Sequence, residues 1–257
     1  MTSPSPHSEK SVLLSVRDLS KSFGGVKAVT GVSFDVREGE LIGIIGPNGS
    51  GKTTLVNLIT GFITPDSGKV VYRGQNITGL MPYRIARLGI ARTFQMVRPF
   101  ATLAAFKNLI VPLFSPRVKS LSGGRYGDRN AVAKDLLEEV GFERESSVTY
   151  KPAGSLPHGY LKRLELAKCL ALRADLIILD ELFSGLSIAE LASIVPVIEK
   201  LVFEGKTVIM IEHRLRELFR IANRVVVLNF GTVIAEGVPA DVMQKDEVKH
   251  AYLGSED

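Results

Sequence analysis

One cysteine and no tryptophan occur among the 257 residues. The lone Cys169 has no second thiol to pair with, so an intrachain disulfide is excluded and a reducing compartment is expected. It sits in the apolar, helically spaced stretch Leu166-Ala167-Lys168-Cys169-Leu170-Ala171-Leu172 and reads as core. No run approaches the ~18 consecutive apolar residues of a membrane-spanning helix. The N-terminal Met1-Thr2-Ser3-Pro4-Ser5-Pro6 has no apolar centre of the kind a secretory signal needs. The chain is expected to stay in the cytoplasm and to reach any membrane through another subunit. Strong charge of one sign is lacking too. A net +5 is compatible with an anionic membrane leaflet or nucleic acid and diagnostic of neither, and a solvated surface accounts for it. Apolar residues are plentiful at 45%, enough for the core of one large or two modest domains.

The stretch Gly46-Pro47-Asn48-Gly49-Ser50-Gly51-Lys52-Thr53-Thr54 fits the phosphate-loop pattern G-x-x-x-x-G-K-[ST]. It follows the apolar run Leu41-Ile42-Gly43-Ile44-Ile45 and leads into the helically spaced Leu55-Val56-Asn57-Leu58-Ile59, so the order is strand, loop, helix. Glycines without a Cβ let successive N–H groups turn inward around an anion, and the helix N-terminus adds its own unpaired donors. Lys52 would place a cation on the β- and γ-phosphates, Thr53 would be a ligand for Mg²⁺, and Thr54 would add a second hydroxyl.

Residues 1–11 read as a disordered polar tail, Pro- and Ser-rich over the first ten. Val12–Val16 and Val32–Val36 are predicted as antiparallel strands around a Gly24-Gly25 turn, followed by a strand at Lys69–Arg73. Phe23, on this all-β piece, is suited to stacking on an adenine ring or to a place in the core. Helical spacing appears at 103–113 and 129–140, joined by a Gly/Ser/Arg-rich connection at 115–128. From Leu156 the pattern alternates: helix to Leu172, strand Leu176–Asp180, helix Ile188–Phe203, strand Thr207–Ile211, helix Leu215–Ala222, strand Arg224–Leu228. A β-turn at Asn229–Thr232 and two short polar helices complete the chain. Such alternation predicts an α/β fold with a parallel sheet covered on both faces.

The apolar strand Leu176–Leu179 ends in Asp180-Glu181, the form of a Walker B element, and ligands of open α/β sheets bind at the carboxyl ends of strands. Asp180 would hold Mg²⁺ and Glu181 would polarise or deprotonate the attacking water. His213, just past the strand Thr207–Ile211, also projects from a carboxyl end and is placed to sense a γ-phosphate. His7, His158 and His250 have no such setting.

Together these residues resemble the nucleotide-binding subunit of an ATP-binding cassette transporter, over nearly the whole chain from Val12 to Leu253. The resemblance implies a P-loop NTPase with a RecA-like parallel core, an N-terminal antiparallel β subdomain and an inserted α-helical subdomain. Residues 12–95 and 156–257 would form the first two and residues 96–155 the third. It places Phe23 at the adenine-stacking aromatic, Gly46–Thr54 at Walker A, Gln95 at the Q-loop with a share in the Mg²⁺ site, Asp180 and Glu181 at Walker B, and His213 at the switch histidine. Finer wording is similar to the branched-chain amino-acid importer ATPases: Leu19-Ser20-Lys21-Ser22-Phe23-Gly24-Gly25, Ala91-Arg92-Thr93-Phe94-Gln95, Arg163-Leu164-Glu165 and Ala251-Tyr252-Leu253-Gly254.

Three positions depart from the family pattern. At the signature element, LSGGQ or LSYGQ in the family, stands Leu156-Pro157-His158-Gly159-Tyr160, with proline in place of the serine. Leu182 stands where a proline usually follows the Walker B glutamate, and Ser187 where the D-loop has an acidic or amide residue. The string Leu121-Ser122-Gly123-Gly124-Arg125 imitates the signature but leads into a helix ending near Phe142 rather than into Walker B, so it reads as a decoy.

The resemblance implies an ATP- and Mg²⁺-dependent ATPase on the cytoplasmic face of the membrane. Its partners would be integral permease subunits, a second cassette subunit in a heterodimer rather than a homodimer, indirectly a substrate-binding protein, and no nucleic acid. Permease contact is expected around Gln95, Met96, Val97, Arg98, Pro99 and Phe100, unless the apolar members are core. The alternatives are a soluble cassette ATPase acting on a cytoplasmic assembly and the ATPase of an exporter. A P-loop GTPase or small-molecule kinase is disfavoured, since N-K-x-D and a lid-like arginine cluster are missing. DNA-repair cassettes would need long coiled coils, also missing.

Overall fold

A computed structural model describes residues 11–123, 127–143 and 146–253. The tail expected at 1–11 therefore lies outside the described residues apart from Ser11, whose carbonyl accepts from the Glu38 N–H at 2.9 Å. Two sheets form the body. Strands β1 (Val12–Phe23), β2 (Val26–Arg37), β4 (Ser67–Tyr72) and β5 (Gln75–Asn76) make an antiparallel sheet in the order β2-β1-β4-β5. The second sheet has the order β10-β9-β3-β8-β7-β6, with β3 (Leu41–Ile45), β6 (Ile90–Arg92), β7 (Leu176–Asp180), β8 (Thr207–Ile211), β9 (Arg224–Asn229) and β10 (Thr232–Gly237). All its neighbours pair in parallel except β9 with β10.

The central strands are apolar throughout because both of their faces are covered. In β3, Leu41 and Ile45 belong to one hydrophobic cluster and Ile42 and Ile44 to the other; in β7, Ile177 and Leu179 face one way and Leu176 and Ile178 the other. One cluster lies between the two sheets and includes Leu55, Val56, Leu58 and Ile59 of α1 (Lys52–Ile59). The other joins the sheet to most of the remaining helices, while Ile85 of the helix at 82–88 belongs to the first cluster.

Those helices are α2 (Pro82–Leu88), α3 (Ile110–Leu113), α4 (Pro116–Leu121), α5 (Arg129–Glu139), α6 (His158–Ala171), α7 (Ile188–Phe203), α8 (Leu215–Ile221), α9 (Pro239–Val242) and α10 (Asp246–Leu253). The sequence expectations for 188–203, 176–180 and 207–211 match residue for residue. At α7 the reason is a capping box. The Ser187 hydroxyl accepts from the Glu190 N–H and the Glu190 carboxylate accepts from the Ser187 N–H.

Three expectations need correction. The β-turn expected at Asn229–Thr232 is present, with φ of 43° and 78° at Phe230 and Gly231, but the chain then returns as β10 before it enters the two helices. Gly24 and Gly25, with φ of 50° and 88°, turn the chain at the other hairpin, so β1 and β2 extend to Phe23 and Val26. The helix expected over 103–113 shrinks to a 3-10 turn at Phe106–Leu109 and one turn of α3. Residues 100–104 instead wrap the buried Asn108, whose Nδ2 reaches the Ala104 carbonyl at 3.1 Å and whose Oδ1 accepts from the Phe100 N–H at 2.8 Å. The connection at 115–128 contains α4, started by Ser115 and Pro116 and tied down by Arg117, which pairs with Asp175 at 2.8 Å. The decoy string begins at the end of α4, and its Gly124 and Arg125 lie outside the described residues.

Candidate nucleotide site

Register brings the chemistry to one sheet edge. Ile44 of β3 pairs with Ile211 of β8, and Asp180 of β7 pairs with the same Ile211. The residues that follow those strand ends therefore emerge side by side: Gly46–Gly51 from β3, Glu181 from β7, Glu212 and His213 from β8. Gly46 has φ 149°, and a Cβ there would lie 2.1 Å from the Leu228 carbonyl oxygen, so only glycine lets the loop leave the strand here. The N–H groups of Gly49, Gly51 and Lys52 have no acceptor within the described chain, which leaves them for an anion. In this state Lys52 folds back and donates to the carbonyls of Gly46 and Pro47, both at 2.8 Å. Burial lowers its pKa, while the charges of Glu181 and Asp180 raise it.

Asp180 is nearly buried and pairs with Arg92 of β6, Nη2 to Oδ2 at 2.7 Å. The Arg92 guanidinium also donates to Asn57 Oδ1 at 2.6 Å and lies over the rings of Phe62 and Phe94, 5.9 and 5.3 Å from their centroids. Glu181 is held from two sides: Gln95 Nε2 donates to one carboxylate oxygen at 2.7 Å, and His213 Nε2 lies 3.2 Å from the other. The structure thus brings Gln95, Glu181 and His213, chosen from the sequence, into direct contact. The carboxylates and Thr53 offer hard oxygen donors that suit Mg²⁺, and the free loop N–H groups suit a polyphosphate.

Phe23 is 45% exposed at the end of β1, with Lys21 Nζ 5.7 Å from its ring centre, so the core alternative is set aside and the ring is open to a base. Met96 and Phe100 are 70% and 50% exposed, which removes the core reading for them as well. They belong, with Phe62, Tyr83, Phe94 and Val111, to the lining of a groove of about 870 Å³ that also includes Thr53, Gln95 and Asp180. At the departures, Leu182 is buried in the core where it replaces proline, and Ser187 caps α7. Pro157 is the N-cap of α6 and supplies no side-chain cap; His158 Nε2 lies 3.2 Å from the Ser184 carbonyl. Cys169 is buried, and burial pushes its thiol up to about 12, as befits an unreactive core residue.

Residues 29–184 match the family description "ABC transporter". The chain belongs to the ABC transporter family. It is 37% identical over 252 residues to the high-affinity branched-chain amino acid transport ATP-binding protein BraF of Pseudomonas aeruginosa, covering 94% of this chain and 98% of that one. It is 35% identical to the LivG protein of Escherichia coli with the same function in its name, at the same coverage. Among solved structures, a nucleotide-free ATP-binding cassette from an ABC transporter superposes with a TM-score of 0.82 at 30% identity, over 95% of this chain and all of that one. The ADP conformation of an ATP-binding cassette gives 0.80 at 31% identity and the same coverage. The cassette is accordingly an ATP-binding, ATP-hydrolysing member of its family with the P-loop NTPase fold. Among its described residues no helix is long and apolar enough to cross a membrane.

Sequence reasoning passed over three buried charged residues of this region. Arg92 lay inside a quoted string without a role. Lys162 and Glu212 carried no motif signal, since their meaning lies in burial and in partners far along the chain.

Proposed function

We propose that the cassette powers the import of branched-chain amino acids or similar small solutes. It would act on the cytoplasmic face of the membrane with integral permease subunits and, indirectly, a substrate-binding protein. The names of its relatives support the solute class. The observation that carries the catalytic reading is the Glu181 carboxylate held between Gln95 and His213 at the edge that also bears the phosphate loop.

In this reading the free N–H groups of Gly46–Thr54 take the phosphates of ATP, Lys52 exchanges its own loop carbonyls for β- and γ-phosphate oxygens, and Phe23 stacks on the adenine. Thr53, Asp180 and Gln95 hold Mg²⁺, which neutralises phosphate charge. Glu181 takes the proton of the attacking water, and His213 contacts the γ-phosphate. The apolar groove beside Gln95 receives a permease helix, and residues 96–155 act as the helical arm of the domain.

Two cassettes would close head to tail over two ATP molecules, and Pro157 makes a heterodimer the better fit. Proline offers neither a hydroxyl nor an N–H where the partner's nucleotide would meet α6, so the site completed by this chain is the weaker one. The test of the base is Glu181→Gln in the assembled transporter. ATP affinity is expected to persist while turnover falls about 10²–10⁴-fold; turnover at the parental rate would show that another group does the work.

A further inference from the structure

Lys162 lies on α6, has no part in the chemistry above, and is nonetheless among the largest fully buried side chains, 1% exposed. A buried ammonium is costly unless its protons find acceptors. Its Nζ donates to two backbone carbonyls, those of Glu181 at 3.0 Å and Gln95 at 3.2 Å. These are the two residues whose side chains meet at 2.7 Å over the phosphate loop. Lys162 therefore ties together from behind the pair that makes the catalytic contact in front.

Glu181 has φ 49°, a left-handed conformation that is costly for a residue carrying a Cβ and that persists only where its surroundings enforce it. The enforcing contacts are few. The Glu181 N–H donates to the Ile211 carbonyl at 2.9 Å, and the Glu181 carbonyl accepts from the Ser184 N–H at 3.2 Å and from Lys162. Among the described residues Lys162 is the one side chain that bonds the Glu181 backbone, and it comes from a separate element, α6. Burial lowers its pKa, while the carboxylates of Glu212, Glu181, Asp180 and Glu165 around it favour the ammonium.

We propose that Lys162 is a positioning residue for catalysis: by holding the carbonyls of Glu181 and Gln95 it keeps Glu181 in its left-handed conformation, with the carboxylate presented to the attacking water. The geometry of the base then depends on where α6 lies. The inference rests on the reading of Glu181 as the base.

The experiment compares Lys162→Met, which keeps the length and removes the donors, with Lys162→Arg, which restores donors. Both are made in the full-length chain purified with its permease subunits. Binding of a fluorescent ATP analogue and single-turnover cleavage of ATP are measured separately. For Lys162→Met, affinity is expected to stay within about twofold while cleavage slows about 10- to 100-fold, the worth of a charge-assisted hydrogen bond. Lys162→Arg is expected to recover at least part of the rate. Parental cleavage in Lys162→Met, equal loss of affinity and cleavage, or no difference between the two variants would overturn the proposal. If Lys162→Met is not recovered folded, Lys162→Leu, which also lacks donors, is judged by the same criteria. Glu181→Gln is run alongside. If it cleaves at the parental rate the base reading fails, whereas an inactive Glu181→Gln beside a parental Lys162→Met sinks only the positioning role.

Discussion

Replacing Arg92 by methionine isolates a charge pair that links Asp180, the carboxylate proposed for Mg²⁺, to the apolar groove proposed to receive the permease. The Arg92 and Asp180 side chains are 7% and 5% exposed and meet at 2.7 Å. Removing one partner of such a pair leaves the other charge desolvated and uncompensated, which costs about 3–5 kcal/mol. The lost bond to Asn57 at 2.6 Å and the two aromatic contacts act in the same direction, whereas a methionine in the hole between Phe62 and Phe94 restores part of the packing. We therefore expect the nucleotide-free chain to lose about 3–5 kcal/mol in urea unfolding. Adding Asp180→Asn should return much of that loss, because the double variant has no buried carboxylate to leave unpaired. Mg²⁺ with ATP should stabilise Arg92→Met more than it stabilises the parent, while ATP with chelator should not, since only the cation can take the place of the guanidinium beside Asp180. A loss below about 1 kcal/mol, or a double variant no more stable than Arg92→Met, would refute the argument that a desolvated charge dominates.

Three further outcomes can be checked independently. Phe100→Asp should leave ATP binding by the isolated chain nearly unchanged and weaken recovery of the permease in a pull-down, because a charge would enter an apolar contact; undiminished recovery counts against the groove. Glu212 is buried and its pKa rises from 4.5 to about 8, mainly through desolvation, so the folded chain holds its proton more tightly than the unfolded chain does. Its contribution is then full below about pH 4.5, declines as pH rises through the interval to about 8, and is gone above it. Glu212→Gln keeps a neutral acceptor for the Phe183 N–H and should flatten that decline, worth on the order of 4–5 kcal/mol; parallel pH–stability curves for variant and parent would exclude the assignment. Pro157→Ser should strengthen nucleotide binding about ten- to a hundredfold at the site this chain completes for its partner, and single-turnover cleavage that is already equal at both sites of the parent would end the argument for asymmetry.

The phosphate loop could be read from the chain alone because its chemistry is contiguous: nine successive residues from Gly46 to Thr54 supply the turn, the donors and the cation. Strands β7 and β8 and helix α7 were legible to the residue for a similar local reason, since unbroken apolar runs and the Ser187–Glu190 box mark their own ends. Asp180, Glu181 and His213 were legible as polar residues at the carboxyl ends of apolar strands, Gln95 only through the family pattern, and the contact of Gln95 with Glu181 spans 86 residues of chain. Strand order and register decided that contact, by setting β6 beside β7 in parallel with Arg92 opposite Ile178, so that the residues following both strands leave at the same end. The turn at Asn229–Thr232 was legible, but strand β10 beyond it was missed, because its apolar stretch is only Val233-Ile234-Ala235 and pairing with β9 is what holds it extended. Exposure was likewise a tertiary outcome: Phe23, Met96 and Phe100 are apolar in the sequence whether they face solvent or core, and only the packing of the rest left them outside. Arg92 and Lys162 look in the sequence like ordinary solvated charges. Their burial, and hence their energetic weight, comes from partners 88 and 67 residues away, because desolvation is a property of everything that surrounds a group and not of the residues beside it in the chain.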